Sequence, residues 1–385
     1  MTTAAFILAD LGLERSVYAE RGLIALAIIA CALGSISTLR WWLQPPAGDR
    51  TAGEHERGWP FMRRTLIGVG QTAAGVLAVL LFARLTLPAP QRPEGWLLIS
   101  PPNEISTLAL QGDTLWAGGR EGLFAIDRKS AALIDTPLRS RDLRAVRALI
   151  VEGETLWIGC KAGVFRWNGQ QLDKLLPPSQ ADTGPITALR RTRDGAMWIG
   201  ATLGAWRLTA DQWQWFGEKE GLRLPMVDTI YEDKNGALWF ASKEPEAPGL
   251  WRREGEKWTL FDASSGLAHP AVNDIREDHQ GTLWIACGFG AGGAAYRFEN
   301  GRLSAPFEIR GLSRSKIRSL FQDTEQRLWF CSEFEGVAIL DGTNWRRLTL
   351  NEGLPGNEIK VMLEDGDGTL WLGNEHGLGR IIDFK

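Results

Sequence analysis

The side chains from which catalysis or metal binding would be built are few in this sequence: four His (His55, His269, His279, His376) and four Cys (Cys31, Cys160, Cys287, Cys331). No two of them stand at the spacing of a metal-ligand pair, and the cysteines form no CxxC motif or disulfide framework. No metal or other cofactor is therefore expected. The stretch "GTLWIACGFGAGG" (residues 281–293) packs five glycines around Cys287, a composition that could cradle a phosphate. Such a loop has to open a helix, and nothing after it reads as one. Asp233, Asp278, Asp323 and Asp365 recur at turn positions and read as turn formers. His279 shares its turn position with Lys234 and Thr324 in neighbouring stretches and reads as a solvated turn residue. No residue is assigned a catalytic role.

The elements that carry these residues repeat. "TLWAGGREGLFAID" at Thr114 returns as "TLWIGCKAGVFRWN" at Thr155, "AMWIGATLGAWRLT" at Ala196, "ALWFASKEPEAPGLWRRE" at Ala237, "TLWIACGFGAGGAAYRFE" at Thr282, "RLWFCSEFEGVAILD" at Arg327 and "TLWLGNEHGLGRIID" at Thr369. The tryptophans (Trp116, Trp157, Trp198, Trp239, Trp284, Trp329, Trp371) are spaced 41, 41, 41, 45, 45 and 42 residues apart. Each copy reads as four short strands with no helix between copies, which is the signature of a β-propeller blade. The glycines of residues 281–293 thus belong first to the fifth copy. Two residues after each Trp stands Gly118, Gly159, Gly200, Ala241, Ala286, Cys331 or Gly373, on the same strand face as the Trp. That small side chain leaves room for the neighbouring blade, and Cys331 fills the slot as a small hydrophobe.

The seventh copy stops at Lys385 after its third strand, while "EGWLLIS" (Glu94–Ser100) reads as an outer strand without a blade. Pairing the two, with Trp96 beside the sheet of Trp371 and opposite Arg380 to Phe384, closes the ring and protects its edge. The expected fold is an all-β, seven-bladed β-propeller over residues 94–385, closed by its N-terminal strand.

With "DxxG" before "LWIG…GLxR", and "EGLPGNEI" (Glu352–Ile359) introducing a blade, the repeats resemble the two-component regulator propeller repeat over residues 94–385. That resemblance implies a ligand-binding sensor domain of bacterial signalling. Such propellers commonly precede a membrane helix and an output domain such as a histidine kinase. None follows here, so signalling is expected to pass through a partner. Streptogramin lyase also resembles these repeats and uses a His/Glu set in the central cavity; no His…Glu-x-His arrangement occurs in this sequence.

The first 92 residues contain no lysine and two uncharged apolar runs, Gly22–Leu39 and Leu66–Ala83. Eighteen helical residues at about 1.5 Å each reach about 27 Å, enough to cross a bilayer core. Trp41, Trp42 and Trp59 flank them as interfacial aromatics do. The expected organisation is a tail (1–21), a first membrane helix (22–39), a loop (40–65), a second helix (66–87) and a linker (88–93). The loop carries Arg40, Arg50, Arg57, Arg63 and Arg64 against two arginines on either outer flank. Positive-inside counting puts it in the cytoplasm and the propeller in the periplasm of a bacterial inner membrane. A competing reading makes the first run a cleaved signal peptide, which would invert the second span, but the tail before it is long and not basic.

From residue 93 onward 34 Lys and Arg face 40 Asp and Glu, which argues against nucleic acid as a partner. Copies four, five and six lengthen the turn between their second and third strands (residues 242–249, 287–293 and 332–336). Insertions clustered on one sector of the binding face fit a site. Phe289 and Phe334 in these turns are not needed by their own blade cores, and with Glu333, Glu335, Lys243 and the nearby His269 they form the candidate surface for a carbohydrate, a peptide or a signalling protein. The function read from this pattern is a sensory or interaction module. The alternative is a lyase- or hydrolase-type enzyme with its site at the central channel.

Overall fold

The structure, a computed structural model, describes residues 92–384 except 139–142, 178–183, 211, 291 and 314. The expected tail, both apolar runs, the arginine loop and most of the linker lie outside the described residues. Among the described residues no helix is long and apolar enough to cross a membrane.

Seven four-stranded antiparallel sheets make up residues 92–384. Six take their strands in sequence order. The seventh runs Trp96–Ile99, Gly377–Ile381, Leu370–Asn374, Ile359–Glu364, so its outer strand comes from the start of the domain. The first strand of each blade touches the first strands of both neighbours, and the last of these contacts, between blades seven and one, completes the circle. Those inner strands surround the central channel.

The blade tryptophans are buried, four of them essentially completely. Each pairs across to the inner strand on one side and the third strand on the other, where Arg252 stacks on Trp239, Arg297 on Trp284 and Arg380 on Trp371 at 5.3, 5.8 and 5.4 Å from the ring centre. The arginine of the "GLxR" pattern is therefore a cation–π partner of its own blade's Trp. The small residue two places on does make room for the next blade. A Cβ at Gly200 would lie 2.2 Å from the Val227 carbonyl oxygen, and one at Gly159 2.7 Å from Ile186 Cγ2. Cys331 occupies the same slot, fully buried against Met362, and burial pushes its thiol up to about 12.

The recurring aspartates do more than turn the chain. Asp365 Oδ1 accepts from the backbone of Asp367 and Thr369 at 3.0 and 3.1 Å, while Oδ2 accepts from Trp371 Nε1 at 2.9 Å. Asp233 with Trp239 and Asp278 with Trp284 repeat the arrangement, and Asp323 binds Trp329 at 2.8 Å. In blades one and two the hairpin is one residue shorter and Gln111 and Glu152 take over as acceptors. The residue before each hairpin Asp binds the turn of the preceding blade: Glu232 accepts from Arg193 N, Glu277 from Lys234 N, Gln322 from His279 N and Glu364 from Thr324 N. His279 is thus an exposed turn residue whose backbone joins two blades.

Two details of the expected fold change. Trp96–Ile99 pairs with Leu378–Ile381, not with Arg380–Phe384. The strand ends at Ile381, Asp383 turns with φ of +53°, and Phe384 packs 4.8 Å from Trp329 and 6.2 Å from Trp96. Hydrophobic burial of Phe384 between blades outcompetes further ladder pairing beyond Ile381. In blade five the expected long turn at 287–293 is instead a longer hairpin, with strands Leu283–Phe289 and Gly292–Glu299 and Phe289 opposite Gly292. Glycine is what permits it: a Cβ at Gly293 would lie 2.5 Å from Lys316 Cα and 2.6 Å from the Ser315 carbonyl oxygen. The chain entering blade six passes directly over this hairpin.

Three single-turn 3-10 helices were also not expected between copies, at Glu218–Glu220, Ala263–Ser265 and Leu350–Glu352. Each ends in a glycine at positive φ (Gly221, Gly266, Gly353) that turns the outer strand toward the next blade.

Candidate functional site

The extended hairpin of blade five and the turn of blade six meet through Lys316. Its ammonium lies 5.7 Å from the Phe289 ring centre and 3.5 Å from Glu333 Oε2, and its carbonyl accepts from Glu333 N at 3.1 Å. Phe289 and Phe334 are both 57% exposed, unusual for large aromatics in a fold that buries most of its tryptophans. His269 adjoins the same hairpin, since a Cβ at Gly292 would be 3.5 Å from its Cε1. It also lines a cavity of about 840 Å³ walled by Gly293, Tyr296, Phe307 and the segment leading into blade six.

Glu335 has another task. Its carboxylate accepts from Ser313 N at 2.7 Å and from the Ser315 hydroxyl, fastening that segment. Lys243 stands apart from the aromatics. Its backbone N–H donates to Asp228 Oδ2 at 2.9 Å, and its side chain is exposed. Desolvation by the surrounding protein lowers its pKa against the opposing charges of Asp228 and Asp274. Of the six residues singled out in the sequence, Phe289, Glu333 and His269 are thus gathered around Lys316 and the blade-five hairpin, Phe334 sits in the adjoining turn, and Glu335 and Lys243 are held by neighbouring loops.

Sequence reading missed a belt of alternating charge that continues from Glu333. Arg318 lies 3.6 Å from Glu333 and pairs with Glu358; Lys360 lies 3.8 Å from Glu358 and 2.8 Å from Glu104; Arg120 closes on Glu104 at 2.9 Å. The belt crosses blades six, seven and one. Burial lowers the pKa of Lys316, with the positive charge of Arg318 adding to it and Glu333 opposing. Burial would raise the pKa of Glu104, but the Lys360 hydrogen bond and the charges of Lys360 and Arg120 outweigh it and hold the carboxyl below its ordinary value. A partial signal was available in the sequence: Arg318 and Lys360 stand at an inner-strand position that other copies fill with Ser106, Arg147, Thr187, Asp228 or Asn273, so charge there was readable while its pairing was not.

Two segments, residues 266–289 and 353–376, match the family described as two component regulator propeller. These two segments are similar to the two-component regulator propeller repeat. The first matched segment contains the inner strand and Phe289 of blade five, and the second the Asp365–Trp371 hairpin of blade seven. Solved structures of similar fold include the extracellular domain of a hybrid two component system from B. thetaiotaomicron (TM-score 0.63, 17% identity, 76% of this chain and 42% of that one). Another is the extracellular domain of a one component system from the same organism (0.61, 18%, 74% and 40%). A third is streptogramin B lyase (0.59, 16%, 74% and 95%). This chain spans about two fifths of the length of the two sensor chains, and at these identities the likeness concerns the fold. No curated protein sequence matches the chain.

Proposed function

We propose that this chain is a membrane-anchored sensory propeller that presents the blade-five and blade-six sector to a ligand or partner in the periplasm and signals through a second protein. The repeats support the sensory part, as do neighbours described as extracellular domains of one- and two-component systems. The two apolar runs and the arginine-rich loop between them support the anchoring and its orientation. The observation that carries the binding reading is the pair of exposed aromatics, Phe289 over Lys316 and Phe334 next in the chain to the Glu333 that pairs with Lys316. An exposed ring beside a paired cation and carboxylate suits a sugar ring stacked on the aromatic face, or a peptide anchored by it.

The test is the Phe289→Ala, Phe334→Ala double variant of the full chain in detergent, screened against glycan and peptide arrays beside the wild type. Both rings are exposed, so its melting temperature should stay unchanged. Arrayed ligands that the wild type holds should be lost. A variant that melts early and still binds assigns the two rings to the core and overturns the site.

A further inference from the structure

The central channel holds a second feature that belongs neither to the repeat nor to the aromatic sector. In every blade one inner-strand residue lies opposite the blade tryptophan. It is Ala109, Ile150, Tyr231, Phe321 or Leu363 in five blades, and arginine, Arg190 and Arg276, in blades three and five. The ring therefore asks for an apolar or aromatic side chain here, and two blades flanking Tyr231 break the rule. Arg190 reaches over the Tyr231 ring, 4.7 Å from its centre, and the Tyr231 hydroxyl in turn reaches Glu277 N in blade five at 3.2 Å. Arg190, Tyr231 and Arg276 all line one cavity of about 820 Å³ in the channel.

The charges around that cavity are unevenly satisfied. Asp274 accepts from Leu320 N, Glu277 from Lys234 N, Asp278 from Gln280 N and Thr282 N, and Glu364 from Thr324 N. Arg276 has Asp274 at 3.4 Å. The Arg190 side chain has no hydrogen-bond or ion-pair partner among the described residues, and its Nε is buried without one. The residue is only partly buried, so its terminal nitrogens are free to meet an acceptor from the channel, and a second arginine stands two blades away. Burial, foremost, lowers the pKa of Arg190, with the like charges of Arg276 and Arg193 adding to it and Tyr231 and Glu232 opposing. The arginines stacked on the blade tryptophans share the buried, unpartnered Nε, but each has an acceptor at a terminal nitrogen: Glu254 for Arg252, Glu299 for Arg297 and the Lys129 carbonyl for Arg380.

We propose that the channel binds a small organic carboxylate, its oxygens held by Arg190 with Arg276 alongside and its carbon body against the apolar ring of Ile150, Phe321 and Leu363. Guanidinium pairs bind carboxylates in fixed fork geometry, and the apolar residues at the same level of the channel favour an organic acid over an inorganic anion. The site shares no residue with the blade-five and blade-six surface, so either can fail without the other.

The test uses the full chain in detergent, titrated by calorimetry with benzoate, with its neutral isostere benzamide and with inorganic phosphate. Benzoate should bind, with benzamide at least about tenfold weaker, which corresponds to about 1.4 kcal/mol. Arg190→Gln and Arg276→Gln should each lower benzoate affinity by about tenfold or more, while the exposed Arg302→Gln should not change it. Arg276 is half exposed, so Arg276→Gln carries the test should Arg190→Gln fail to fold. Absence of benzoate binding, equal affinity for benzoate in Arg276→Gln, or phosphate bound in preference to benzoate would each overturn the assignment.

Discussion

Trp96 lies opposite Ile381 in an antiparallel pair that joins the first described strand to the last. Without it the seventh blade would present the open edge of Gly377–Ile381, and the ring would be held at that point by side-chain packing alone.

Trp96 is buried and touches Phe384, so Trp96→Ala removes both a core aromatic and the anchor of the closing strand. The expected loss is about 3–5 kcal/mol, read as a lower urea midpoint of the full chain. Deleting residues 94–100 should cost at least as much. A midpoint unchanged by the deletion would mean that the ring closes without this strand.

Asp365 and Trp371 form the hairpin clamp of blade seven. Asp365→Ala strips acceptors from two backbone N–H groups and from a fully buried indole, at an expected cost of about 3 kcal/mol. Asp365→Asn can keep the backbone acceptor but offers the indole a donor, and should lose less. Equal stability of the alanine variant and the wild type in chemical denaturation would show that water replaces the carboxylate at no cost.

Asp194 couples blade three to pH. Its carboxylate accepts from the Thr192 hydroxyl at 2.6 Å, from Arg207 at 2.7 Å and from Ala196 N, and these donors hold its pKa at about 2. A depressed folded-state pKa contributes stability that is present above the unfolded value, about pH 4, and is lost as pH falls toward about 2. The side chain is 54% exposed, so the contribution is screened to about 1 kcal/mol or less. Asp194→Asn should therefore be slightly less stable than the wild type near neutral pH, with the difference vanishing toward pH of about 2. A difference independent of pH would assign the effect to packing.

The proposed orientation has its own check. Reporters that work only in the periplasm, fused after Pro88, should be active, and the same reporters near Arg50 silent. The reverse pattern would put the propeller in the cytoplasm.

Blade number, blade order and ring closure were legible in the sequence because each rests on local chemistry repeated seven times. The Trp spacing, the Asp and Gly of the turns and the small residue after each Trp are demands that every blade makes within its own forty-odd residues. The exposure of Phe289 and Phe334 was legible for the complementary reason, that no repeated position asked for them. The finer closing register was not, because the pull of Phe384 toward Trp329 comes from the core of another blade. Nor was the shape of "GFGAGG", whose glycines answer to Lys316 and Ser315 passing overhead. The charge belt from Lys316 to Arg120 and the convergence of Arg190, Tyr231 and Arg276 depend on which side chains the ring sets face to face. Closing the ring makes neighbours of residues some forty positions apart, or, between the seventh blade and the first, of residues from opposite ends of the domain. Coulomb and stacking interactions between them follow that distance in space, which only the tertiary structure decides.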